Sequence, residues 1–101
     1  LMLQSVDSLL PLVSLTSSAI KLEMQFLSET LELLRDRQLI SNEAYLEAGS
    51  IQGCMNVISN LLDNNVEDGE ISIQYETLSN KSQRLHNNFP QLNNLIESYR
   101  K

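Results

Sequence analysis

Between Leu3 and Leu34, apolar residues recur in alternating steps of three and four: Leu3, Val6, Leu10, Val13, Ile20, Met24, Leu27, Leu31 and Leu34. Ser17 is the one polar residue in the series. This spacing puts the series on one face of an α-helix, and an apolar seam in water has to be covered by another helix. The pattern predicts a first helix over about residues 3–37. Pro11 suits a first turn but breaks the hydrogen-bond ladder further in, so a kink is expected near Ser8 to Pro11 while the apolar frame continues through it. Arg35 and Arg37 suit the carbonyl end of such a helix.

The same segment carries a second apolar row, Leu12, Leu15, Ala19, Leu22, Phe26 and Leu33, well round the helix from the first. One neighbour cannot cover both rows. Either the first helix is sandwiched between two others, or it leaves Leu12, Leu15, Leu22, Phe26 and Leu33 for a partner.

A second helix is predicted over about residues 42–63, with Ser41 as N-cap and Glu43 in the first turn. Its core row is Ala44, Ala48, Ile51, Met55, Ile58 and Leu62, flanked by Cys54 and Leu61. Gly49 and Gly53 stand four apart and each weakens a helix, which points to local weakness or to close approach of a neighbouring backbone. Asp63 to Glu70 reads as a polar turn with Gly69 able to take positive φ.

A third helix follows over about residues 72–99, with Ile71, Tyr75, Leu78, Leu85, Phe89, Leu92, Ile96 and Tyr99 in heptad spacing and Ser82 in the remaining slot. Pro90 interrupts it, and Asn88 with Gln91 resembles a capping box for a restarted helix.

The three patterns predict an all-α fold, an antiparallel three-helix bundle formed by residues 1–101 as one domain. An up-down-up order makes the first and third helices parallel, so Ser17 and Ser82 are expected to face each other as small residues where helices come close. The apolar frame reaches Leu3 at one end and Tyr99 at the other, as in a piece of a longer helical protein or one whose ends continue into a partner.

Composition narrows the function. The net charge is −6, from 13 acidic and 7 basic residues with no long run of either sign, which disfavours nucleic acid and anionic membrane surfaces as partners. The single Cys54 cannot form an intramolecular disulfide, and a reducing, cytoplasmic setting is expected. Leu9 to Ala19 has a signal-like apolar core, but Asp7 precedes it and no basic region does; it reads as mature structure. No stretch is apolar enough to span a bilayer.

Candidate chemistry is sparse. His86 has no Ser, Cys or acidic residue at a spacing typical of nucleophilic sites, and Cys54 beside Met55 reads as a small core residue. Glu29 and Glu32 have the spacing of helical metal ligands, but no Glu-x-x-His pair accompanies them. Asp63, Asn65 and Glu67 alternate like calcium donors, yet Asp68 stands where the EF-hand loop needs glycine and Gln74 where it needs glutamate. A non-enzymatic module without metal or cofactor is therefore expected. It would act as an adaptor or scaffold, binding another protein or a second copy through Leu12, Leu15, Leu22, Phe26 and Leu33. The alternative is a carrier of an apolar small ligand, its seams thinned by Gly49, Gly53, Ser17 and Ser82.

Overall fold

A computed structural model describes residues 16–100, and among them every regular element is helical. The helices are α1 (Ser17–Asp36), α2 (Asn42–Asp63), α3 (Asp68–Asn88) and the short α4 (Leu92–Glu97).

Local chemistry sets the boundaries. At Thr16 the backbone is extended and the side chain accepts a hydrogen bond from Ala19 N at 3.1 Å. A polar residue that offers its own acceptor to the first turn is a strong N-cap. The described helix therefore begins at Ser17, although the apolar frame predicts a helix running on from residue 3. The predicted kink at Pro11 lies outside the described residues. Ser41 caps α2 in the same way, accepting from Ala44 N at 3.1 Å, and α2 has the predicted bounds.

The first two helices end in left-handed residues that are not glycine. Gln38 has φ of 59° and precedes Leu39, whose N–H returns to Leu34 O at 2.9 Å. Asn65, at φ of 55°, plays the same part beside the bond from Val66 N to Leu61 O. Both closures use carbonyls that the helix itself leaves unpaired. The second one is tight enough for α3 to start at Asp68, four residues before the predicted start. Gly69 lies inside that helix rather than at a positive-φ turn position. Asp68 and Glu70 in the first turn favour the early start by facing the positive end of the helix dipole.

α3 stops at Asn88 because a residue preceding proline is driven out of the helical region, and Phe89 has φ −137° and ψ 72°. The expected capping box does not form. Gln91 makes no side-chain cap, and Asn88 Nδ2 instead donates to Glu47 Oε1 of α2 at 2.9 Å.

The fold is the antiparallel three-helix bundle that the sequence predicts, with α2 in close contact with both α1 and α3. The start of α1 meets the end of α2, where Ser17 Oγ lies 3.0 Å from Ser59 Oγ and Lys21 Nζ is 3.0 Å from Asp63 Oδ2. Ser17 thus pairs across to α2, not to Ser82 of α3 as expected, because α2 is the nearer neighbour. Ser82 is fully buried among the apolar residues of its own row. A single core joins Leu27, Leu31 and Leu34 of α1 with Ile51, Met55 and Ile58 of α2 and Leu78 and Leu85 of α3. Beyond Pro90 the chain reverses, and α4 adds Leu92 and Ile96 to this core while lying against α1.

Two substitutions probe this arrangement in denaturant titrations. Leu31→Ala opens a cavity at a fully buried site and lowers the unfolding free energy by about 3 kcal/mol. Gln38→Gly relieves a left-handed residue and raises it by about 1 kcal/mol.

A candidate docking face on the first helix

The two apolar rows of α1 have different fates. The first row, Ile20, Leu27, Leu31 and Leu34, is completely buried, with Met24 half-buried beside it. The second row is only partly covered. Leu12 and Leu15 lie outside the described residues; Leu22 is 68% exposed, while Phe26 and Leu33 are half-buried.

The cover over the second row comes from α4 and the three residues after it. Arg100 reaches back to α1 and closes a clamp with two carboxylates. Its Nη1 and Nη2 donate to the two oxygens of Glu23 at 2.8 and 2.9 Å, and its Nε donates to Glu97 Oε1 at 2.7 Å. The guanidinium also lies 4.1 Å from the centre of the Phe26 ring, a cation–π distance. Bonds to Glu23 and Glu97 hold the Arg100 group well above its ordinary pKa, so it is charged at any pH at which the protein is folded. Arg37 donates a long 3.5 Å bond to the Tyr99 hydroxyl lower on the same side.

Between α1 and this clamp runs an open groove of about 540 Å³, bounded by Leu22, Phe26, Thr30 and Leu33 on one wall and by Tyr99 and Arg100 on the other. Its lining mixes these apolar side chains with the carboxylates of Glu23 and Glu29. A second open depression of about 440 Å³ lies at the opposite end of α1, where Leu39, Ile40 and Ala44 face Phe89, Leu92 and Leu95.

The groove joins residues that the sequence pattern singled out, Leu22, Phe26 and Leu33, to others it did not. Glu23 and Arg100 are 77 positions apart, and no local pattern could pair them. Tyr99 reads from its spacing as one more seam residue of the third helix. Only the reversal at Pro90 brings it to α1.

The other candidate chemistries are not assembled into sites. Glu29 accepts a hydrogen bond from Gln25 on its own helix, and Glu32 lies 4.0 Å from Arg35. Asp63 is engaged by Lys21, and Asn65 serves the turn. No group of three His, Cys, Asp or Glu side chains suited to a metal ion occurs among the described residues. Cys54 is a half-buried thiol against the core, and His86 Nδ1 is buried without a hydrogen-bond partner. Gly49 and Gly53 are not in the seam: a Cβ added at either would meet nothing within 4 Å. No described helix is long and apolar enough to cross a membrane.

Compared with protein-family models, curated proteins and solved structures, the chain shows no significant match. The reading of this face therefore rests on its own geometry.

The Ser17 hydroxyl, and after it the Lys21 ammonium, hold the Asp63 carboxyl below its ordinary 3.8. A depressed carboxylate stabilises the fold above its unfolded pKa, and the contribution is lost as pH falls through the folded value. Ser17→Ala is expected to move the Asp63 titration, followed by NMR, up toward 3.8 and to flatten the loss of stability below that pH. Arg100→Ala removes the clamp over Phe26. It should cost about 1 kcal/mol in thermal or denaturant unfolding, the scale of a partly exposed charge-assisted pair with a cation–π contact.

Proposed function

We propose that the protein is a non-enzymatic assembly module that docks a helix of another chain, an unrelated protein or a second copy, on the second face of α1. The observation that carries this reading is the combination of an exposed Leu22 with half-buried Phe26 and Leu33 along one groove. Among the described residues, this row is covered only in part, by Tyr99 and Arg100, and an apolar row left open on a helix whose other row is fully buried suits a partner. Leu22, Phe26 and Leu33 lie along one helix face, the kind of surface that an amphipathic helix covers with anchors spaced at three and four residues. Glu29 beside the groove favours a partner with a basic residue flanking its apolar stripe. A chain with these properties acts as an adaptor or scaffold. Its single free thiol is consistent with a reducing cytoplasmic setting.

A second reading, a carrier of an apolar small ligand, draws on the depression lined by Leu39, Ile40, Phe89 and Leu95. Gly49 and Gly53 face outward and give this reading no support, since neither thins the core.

Leu22→Glu tests the leading reading without disturbing the core, because the side chain is mostly in solvent. Sedimentation velocity over a concentration series is expected to show association of the wild type, with itself or with an added amphipathic basic helix, and its loss in Leu22→Glu at unchanged helix content. Equal behaviour of the two chains would remove the α1 face from the account.

A further inference from the structure

We infer that residues 1–15 fold back over the start of α1 and lie in its open groove, so that a docking partner has to displace them. The inference rests on the reading of this face as a docking surface and adds its regulation, with the chain's own segment as first occupant.

Three observations carry it. The first is how α1 begins. Thr16 is extended, with φ −124° and ψ 153°, and its side chain closes the first turn of the helix. An extended cap takes the chain off the helix axis, which is what the return of an αα-hairpin requires.

The second is the lack of cover straight ahead. At this end of the bundle Ser17 meets Ser59, Lys21 meets Asp63 in the last turn of α2, and α3 starts just beyond, at Asp68. A segment running on along the axis of α1 would find no helix beside it among the described residues. Yet Leu3, Val6, Leu10 and Val13 keep the spacing of three and four, and Asp7 is the one charged side chain over residues 1–15. A stripe of this kind leaves water only by meeting another apolar face.

The third is the fit. Leu22 is 68% exposed, and the groove that it opens continues through Phe26 to Leu33. From Thr16 to Leu33 the helix is about 26 Å long, and fifteen residues reach about 22 Å even when helical, so the segment can line most of the groove. In an antiparallel return Leu10 comes to Leu22 and Val6 to Phe26, because each pair of anchors is four residues apart. This occupant fills the space that Tyr99 and Arg100 leave open and keeps the contact of Arg100 with Glu23 intact.

Valine methyl groups supply the test. Val6 and Val13 belong to the segment, whereas Val57 lies on α2 and Val66 in the turn after it. In the whole chain with 13C-labelled valine methyls, in dilute solution, nuclear Overhauser contacts are expected from Val6 to the Phe26 ring. Leu22→Glu should abolish them at unchanged helix content. Their absence from the wild type overturns the inference. So do contacts that, in an equal mixture of labelled and unlabelled chains, run only from one chain to another. The regulation is read with a synthetic helix that carries leucines at three-and-four spacing and flanking lysines. Val6→Asp combined with Leu10→Asp frees the groove and should tighten binding of this helix about tenfold, the gain when a site nine-tenths occupied becomes open. Unchanged or weaker binding would overturn the regulation. If the valine contacts are missing while Leu22→Glu still abolishes binding of the synthetic helix, the docking face stands and its inner occupant falls.

Discussion

Pro90 denies Phe89 the helical conformation, and the arrangement of one side of the molecule follows from that single restriction. Without it, the apolar frame of the third helix would run on to Tyr99 as one rod beside α2. With it, the chain turns within three residues and lays α4 on α1. α1 is then held on one side by the long helices and on another by a six-residue helix and an arginine clamp. The short element covers Phe26 and Leu33 in part and leaves Leu22 in solvent. The difference between core and groove on this helix is thus decided more than 50 residues away.

Much of the fold was legible in the sequence, for identifiable reasons. α2 came out with its bounds and its cap because Ser41, Glu43 and the Ala44-to-Ile58 row all report local preferences that agree with one another. The buried row of α3 was likewise readable from spacing alone. The start of α1 was not. An apolar repeat states which face is buried, but not where a helix begins, and the extended, capping Thr16 sets the start of α1 inside an unbroken apolar frame. The start of α3 lies earlier than the pattern predicts because Gly69, a turn former by type, sits inside the helix. The actual left-handed residue is Asn65, whose side chain tolerates that conformation.

The groove was half legible. Leu22, Phe26 and Leu33 stood out as a surplus apolar row, yet their opposite wall could not be seen. Glu23 and Arg100 meet through tertiary geometry, and Tyr99 changes neighbours because of the reversal. Ser17 likewise meets Ser59 rather than Ser82. Parallel helices at equal height suggest a contact, but the antiparallel neighbour is closer and Ser59 fills the place. The same contact region tunes Asp63 through Ser17 and Lys21, so the start of α1 is tied to α2 by polar bonds and, one turn on, to the end of the chain by a stacked cation.

The outward glycines of α2 have a dynamic consequence. Gly49 and Gly53 leave one side of the central helix's backbone without a side-chain screen, in open space and one turn apart. Water competes there with the helical hydrogen bonds, while Ala48, Ile51 and Met55 anchor the opposite side in the core. The element that touches both of its long neighbours is thus softest at its own midpoint. Amide protons near residues 49–53 should exchange through brief local fraying, ahead of those in the turns of α2 on either side.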